Sequence, residues 1–430
     1  MDFEGSGLSD AAAFNRWISS WESPAPTTNQ GTNELGFQRW FKFKEAFAPS
    51  FVKEVIEALP YTPTAVVDPF GGSGTTAVTC QFLGIHPTVI EVNPFLADLI
   101  EAKLCPVELE YFLLIKDAVE RQAKKNRALA LEHLYQLPPT FVEPGVSGRF
   151  IYSKKTAREI LALRQAIEAV PYPEYQRILK VALGSILVDV SNCYVNGKGR
   201  RYRRGLETRQ VPGVISSFHE ACACIAEDLA IALCRPTSNY TLHRGDSREH
   251  LKNEKSRWDF SLFSPPYPNS FDYTDVYNIE LWMLGYLNSA EDNVALRKST
   301  LRSHVQVSAT RPERHLESKH LHAVYKKLVK NRDTLWDKRI PEMVRDYFAD
   351  LADILELLRD RMESGNFVGM VVGDSQYKDI HIGVAKALQE MAPSLGYNVV
   401  STKRVRSMRS SAQQGGNLKL AESLVLISKI

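Results

Sequence analysis

Apolar residues Val52, Val55, Ile56 and Leu59 recur at spacings of three and four behind Pro49 and Ser50, which predicts a helix over Ala48 to Leu59. The pattern then shortens to compact apolar, β-branched runs. Thr64 to Val67 and Pro87 to Val92 read as buried strands, with helical stretches over Ala77 to Leu83 and on through Lys103. Strand, loop, helix, strand, helix in that order predicts an open α/β sheet. The alternation stops at about residue 107, and helical periodicity dominates to about 238, through Leu109 to Leu134, Lys155 to Ala169 and Tyr175 to Val190. It resumes with strands over Tyr240 to His243 and Asp259 to Phe263 and a helix over Val276 to Leu287. An amphipathic helix follows over Phe348 to Met362, with Leu351, Ile354, Leu355 and Leu358 on one face. Strands over Phe367 to Val372 and Glu422 to Ser428 close the pattern.

Composition narrows the class. With 430 residues, 44% hydrophobic and 24% charged, the chain is predicted to be globular, with a large core domain carrying insertions or two to three domains. No apolar run is long enough for a membrane helix, and Met1-Asp2-Phe3-Glu4 has no signal-peptide character, so a cytoplasmic protein is expected. The six cysteines have no CxxC spacing and are expected to be thiols. A net charge of +3 decides little, but its distribution is uneven: Arg297 to Arg345 holds thirteen Lys and Arg against five Asp and Glu. The glycine-flanked stretch Asn196 to Gly205 carries Lys198, Arg200, Arg201, Arg203 and Arg204 around Tyr202, as a phosphate-contacting loop would. A third cluster, Lys403, Arg404, Arg406 and Arg409, fits a polyanion cleft or plain solvent equally well. The histidines at 304, 315, 320 and 322 have no metal-site spacing, so no metal is expected.

Three sites carry chemistry. The first is Asp68-Pro69-Phe70-Gly71-Gly72-Ser73-Gly74-Thr75-Thr76, a glycine turn between strand and helix. Such turns let backbone amides approach a ligand, and the absence of Lys after Gly74 disfavours an ATP or GTP phosphate loop. The second is a pair of acidic strand ends. Glu91 could hold a ribose, and Asp246 could face an adenine amino group or equally cap the helix that Ser247 begins. The third is Ser264-Pro265-Pro266-Tyr267, where two prolines end a strand in a rigid extended turn whose carbonyls point outward. A serine oxygen and a proline carbonyl are two fixed acceptors. They could draw a conjugated exocyclic amino group toward tetrahedral geometry while Tyr267 stacks on a base turned out of its duplex.

The first and third motifs together resemble those of the N4-cytosine/N6-adenine DNA amino-methyltransferases, in the order that places the cofactor motif before the catalytic one. Phe47-Ala48-Pro49-Ser50-Phe51-Val52 is similar to that family's cofactor-binding helix, Gly245-Asp246-Ser247-Arg248-Glu249 to its acidic strand end, and the closing Glu422-Ser423-Leu424-Val425-Leu426-Ile427-Ser428-Lys429 also resembles the family. The resemblance implies a Rossmann-like class I methyltransferase sheet and S-adenosyl-L-methionine as cofactor. It implies a cofactor site of Phe47, Pro49, Ser50, Asp68, Phe70, Gly71, Gly72, Gly74, Thr75, Thr76, Glu91, Asn93, Asp246 and Ser247, and a catalytic turn of Ser264, Pro265, Pro266 and Tyr267. Serine in the first position of the catalytic motif accompanies cytosine N4 more often than adenine N6, so cytosine N4 is the expected target. Adenine N6, RNA, or a catalytically silent DNA-binding subunit are the alternatives. About 190 residues separate Gly74 from Ser264, roughly twice what the intervening elements need, so an insertion is expected. The expected division is a leading segment and linker at 1–36, a cofactor half at 37–106, a helical target-recognition insertion at 107–239, and a catalytic half at 240–430 with a basic insertion at about 288–345. DNA is the expected partner, gripped by Lys198, Arg200, Arg201, Arg203, Arg204, Arg404 and Arg406. A separate restriction endonuclease or defence component could act beside it; oligomeric state is left open.

Overall fold

The computed structural model describes residues 11–19, 34–43, 45–126, 137–196, 199–203, 211–307, 313–409 and 419–430. Its strands in chain order are β1 (Ala65–Asp68), β2 (His86–Glu91), β3 (Cys193–Asn196), β4 (Gly199–Tyr202), β5 (Thr241–Arg244), β6 (Phe260–Phe263), β7 (Phe367–Gly373), β8 (Ser375–Tyr377), β9 (Ile380–Ile382), β10 (Tyr397–Arg409) and β11 (Lys419–Lys429). Seven of them form one sheet in the order β10-β11-β7-β6-β1-β2-β5. Neighbours from β5 through β7 run parallel, and β11 alone is reversed. This is the Rossmann-like α/β sheet that the alternation predicts. The chain builds outward through β1, β2 and β5, then returns to lay β6 on the other side of β1. That reversal opens a crevice between the carboxyl ends of β1 and β6, where open α/β sheets bind ligands.

Period-2 alternation divides the strand residues between the two faces. Val66, Val89, Phe260, Leu262 and Val371 pack on the face covered by the helix Thr75–Phe82 and the inserted helices. Val67, Ile90, Phe263, Met370 and Val372 pack on the face covered by the helices Ile340–Arg359 and Val384–Met391. The insertion lies between β2 and β5 and contributes the helices Leu109–Asn126, Lys154–Glu168, Pro173–Ile186 and Val214–Ala232, whose apolar stripes join the first core.

Two polar joints fix the insertion. Asp98 and Glu101, on the helix after β2, pair with Arg177 of an inserted helix and with Arg244 of β5. Asp228, fully buried on Val214–Ala232, accepts from the Phe37 amide at 2.9 Å, Trp40 Nε1 at 2.7 Å and Arg39 at 2.6 Å. A buried carboxylate needs such partners, and here they tie down the aromatic arm that leads to the crevice.

Four stretches differ from expectation. The helix expected from Phe348 begins at Ile340, because Pro341 is well placed in a first helical turn and Met343, Val344 and Tyr347 continue the apolar stripe. The stretch holding Lys403 to Arg409 belongs to the 13-residue strand β10, read from sequence only as a basic cluster. An edge strand keeps one side in water and carries Lys and Arg there, so its apolar signal is weak. Asn192 and Arg203 pair at the base of an antiparallel β3–β4 hairpin where a basic loop was expected. In the leading 36 residues, the helix Ala12–Ile18 buries Phe14 and Trp17, with Trp17 stacked on Phe82 at 4.5 Å. Among the described residues no helix is long and apolar enough to cross a membrane.

Candidate active site

The crevice is a cavity of about 310 Å³ lined by residues of both sequence motifs. Phe47, Asp68, Phe70, Gly71, Gly72, Thr75, Thr76, Glu91, Asn93, Asp246 and Ser247 all line it, and so do Ser264, Pro265, Pro266, Tyr267 and Arg406. Pro49, Ser50 and Gly74 do not. Pro49 and Ser50 open the helix Pro49–Glu57, and Gly74, at φ +81°, precedes the helix Thr75–Phe82 and packs against Ile100.

The wall after β1 is built from backbone. The Asp68 carboxylate accepts from the Phe70 amide at 2.9 Å, and the Gly71 amide donates to the Ile90 carbonyl at 3.0 Å. Glu91 uses both oxygens, one accepting from the Gly72 amide and one from the Asn93 amide, each at 2.8 Å. Burial pushes the carboxyls of Asp68 and Glu91 up to about 7, with those amide hydrogen bonds pulling the other way. Gly71 is obligatory, since a Cβ there would sit 2.4 Å from Val89 and 2.7 Å from Ile100. Gly72, at φ +55°, lies under the Phe43 ring, which stacks on Tyr277 at 5.5 Å. Behind the turn, the fully buried Lys103 donates to the Ser73 carbonyl at 2.7 Å, and desolvation draws its ammonium down to about 7.

Asn93 and Asp246 line the cavity while performing local tasks. Asn93 caps the helix Pro94–Leu104, accepting from the amides of Phe95 and Leu96. Asp246 caps Ser247–Asn253 and holds Arg248, so the capping alternative for this residue is realised. Arg248 reaches on to Asp350 at 2.8 Å, and Arg302 reaches the same buried carboxylate at 2.6 Å, drawing the Ser299–His304 segment over the cavity.

The wall after β6 is built from side chains. Ser264 Oγ donates to the Val371 carbonyl of β7 at 3.0 Å and lies 3.3 Å from the Tyr267 hydroxyl. Tyr267 donates at 2.8 Å to Glu422 of β11, a residue 2% exposed. Arg406 of β10 grips both oxygens of Glu422, at 2.5 and 3.1 Å. Burial disfavours the Arg406 cation, but pairing with Glu422 outweighs it and the net shift is upward. Further along, Tyr377 donates to the Pro268 carbonyl, and the Ser270 amide to the Ser303 carbonyl, joining the turn to the overlying segment.

Sequence reasoning assigned no site role to Glu422, Phe43, Asn269, Phe271, Arg248 or His304, all of which line the cavity; Glu422 and Arg248 entered it only within stretches similar to the family, and His304 only as a residue without metal-site spacing. Glu422 alone left a signal, as a carboxylate opening an otherwise apolar strand. Of the residues expected to grip a polyanion, Lys198 and Arg204 lie outside the described residues. Arg200 sits in β4, Arg201 is exposed there, Arg203 donates to the Ser191 carbonyl at 3.2 Å, and Arg404 is exposed on β10. In the basic stretch 297–345, Arg332, Lys338 and Arg339 pair with carboxylates of the stretch itself, and Arg297, Arg302, Arg314 and Arg345 pair with carboxylates outside it, which offsets part of its excess charge.

The chain is similar to the type II methyltransferase M.AvaI of Nostoc sp., at 26% identity over 401 residues, covering 84% of this chain and 79% of the relative. It is also similar to the type II methyltransferase M.BsoBI of Geobacillus stearothermophilus, at 24% identity with 98% and 90% covered. An rRNA methyltransferase of Streptomyces viridochromogenes overlaps 88% of this chain and 83% of its own, at 10% identity and a TM-score of 0.29, too low to bear on the fold. No family model matches the chain.

Proposed function

We propose that this protein is an S-adenosylmethionine-dependent DNA methyltransferase that transfers a methyl group directly to an exocyclic amino nitrogen, with cytosine N4 as target. The observation that carries the reading is the opening of the glycine turn and the Ser264-Pro265-Pro266-Tyr267 turn into one cavity. The similarity to two type II methyltransferases across most of the chain supports it, and the serine at position 264 supports the choice of cytosine.

The cavity suits that cofactor. Gly71 lets the turn pack against Val89 and Ile100 while lining the cavity, and Asp68 and Glu91 are buried carboxylates able to receive a cation and ribose hydroxyls. When bound, S-adenosylmethionine supplies an electrophilic methyl on a sulfonium. The chain's own task is to prepare the amino group. Its lone pair is delocalised into the ring, so Ser264 Oγ and the Pro265 carbonyl, each accepting one amino hydrogen, turn that lone pair toward the methyl. The nitrogen–carbon bond would form as the carbon–sulfur bond breaks to leave a neutral thioether, and the proton lost by the nitrogen would pass to solvent water. Because Ser264 gives its own hydrogen to Val371 or Tyr267, lone pairs remain on its oxygen for this purpose. Tyr267 presents a ring on which an extruded base can stack.

The test is methyl transfer from labelled cofactor to DNA and to RNA, followed by nucleoside mass spectrometry. N4-methylcytosine in DNA is expected. N6-methyladenine would overturn the choice of base, label confined to RNA the choice of polymer, and no transfer to either the reading itself.

A further inference from the structure

The geometry points to Glu422 as a positioning residue, which acts through Tyr267 to keep the lone pairs of Ser264 available to the target amino group. The inference rests on the proposed reading of the site and adds a residue that the sequence motifs do not contain. Glu422 is nearly inaccessible to solvent, and among the described residues its carboxylate accepts three hydrogen bonds, from Tyr267 and Arg406. A carboxylate has acceptors only, so the Tyr267 hydroxyl must donate to it and cannot also donate to Ser264. The remaining hydrogen in the chain belongs to Ser264, which gives it to the Val371 carbonyl or to the tyrosine oxygen. Either way, the serine oxygen faces the cavity as an acceptor. Hydrogen-bond direction is thus set three groups away, by a charge that Arg406 balances.

Glu422→Gln tests this because it preserves shape and reverses direction. Arg406 bonds one carboxylate oxygen at 2.5 Å through Nε, and an amide nitrogen cannot face that donor. The amide oxygen keeps this shorter arginine contact, and the amide nitrogen replaces the oxygen that faced both the tyrosine hydroxyl and Arg406 Nη2 at 3.1 Å, so that longer arginine contact is given up and the phenol loses its acceptor. Ser264 Oγ, 3.3 Å away, is then an acceptor for the tyrosine hydrogen, which competes with the base for the serine lone pair.

The experiment is a double-mutant cycle on a DNA that the wild type methylates, using Tyr267→Phe, Glu422→Gln and the pair. Cofactor Kd and thermal unfolding are recorded for each. Glu422→Gln is expected to lower kcat about tenfold with KM for DNA and cofactor Kd within about threefold. In the Tyr267→Phe background, the same change should lower kcat by less than about twofold, since the phenol that transmits it is gone. Should Glu422→Gln not fold, Glu422→Asp replaces it in the same cycle, with a smaller loss that again vanishes beside Tyr267→Phe. Multiplicative losses, or a loss confined to KM, overturn the inference while leaving the methyltransferase reading intact. A wild-type protein that methylates no DNA overturns that reading itself.

Discussion

The two walls of the cavity are made in opposite ways. The wall after β1 spans residues 68 to 93, and the hydrogen bonds of its carboxylates and of Asn93 run from backbone amides of the same stretch, while Lys103 and Ser247 brace the turn from outside at the Ser73 and Pro69 carbonyls. The wall after β6 takes Ser264 and Tyr267 from one turn, a carbonyl from β7, Glu422 from β11 and Arg406 from β10, so its hydrogen bonds join residues up to 155 positions apart. A wall whose carboxylates are satisfied within one strand-helix-strand unit is largely fixed as that unit folds. One assembled from four elements is aligned only when the far edge of the sheet is in place. The first suits tight holding of a cofactor, and the second suits directing hydrogens at a reacting atom.

The sharpest way to break the first wall is steric. Gly71→Ala is expected to cost about 3 kcal/mol of stability and to abolish detectable cofactor binding, because the added Cβ meets Val89 and Ile100 inside a packed core. Denaturant unfolding and calorimetric titration read both, and unchanged values would show that the turn is more compliant than its contacts imply. Ser264→Ala addresses the second wall. Methyl transfer should fall about 100-fold, as for removal of one polar group aimed at the reacting centre, with cofactor Kd within threefold. A variant that lost cofactor binding instead would erase the distinction between the walls.

Protonation separates the walls further. Asp68 and Glu91 have folded pKa values raised to about 7, so the folded state binds protons that the unfolded chain has released. The unbound protein should therefore be more stable at pH 5 than at pH 7, by roughly 2 kcal/mol for each of the two carboxyls, with the loss accruing as pH rises toward 7. Chemical denaturation across pH reads this slope. Asp68→Asn should halve it, and saturating cationic cofactor should flatten it. A slope of opposite sign in the unbound protein would mean that these carboxylates are not desolvated as the structure shows. The smallest effect is expected at Asn93→Ala. Loss of the cap on Pro94–Leu104 should cost about 1 kcal/mol by denaturant unfolding while kcat stays within twofold.

The same contrast governs what could be read from the chain. Asp68 through Thr76, Glu91 and the turn at 264–267 stood out because their residue types restrict local backbone or place acceptors at strand ends. Glu422 and Arg406 did not stand out as a pair, since nothing near either names its partner 16 positions away. Asp246 shows the limit from the other side: its position suited a ligand contact and a cap equally, and the structure has it capping Ser247–Asn253 while lining the cavity.

By itself, the sequence determined the strand-helix alternation, the backbone the glycine turn must adopt, the rigidity of the double-proline turn and the presence of a long insertion after β2. Each follows from local sterics or from the period of burial. Only the tertiary structure decided that the two turns share one cavity, that much of the basic stretch 297–345 pairs with carboxylates, and that a buried glutamate on the reversed strand β11 accepts from the tyrosine of the double-proline turn. The physical reason is that strand order and side-chain pairing depend on contacts between distant segments, which local propensity does not encode.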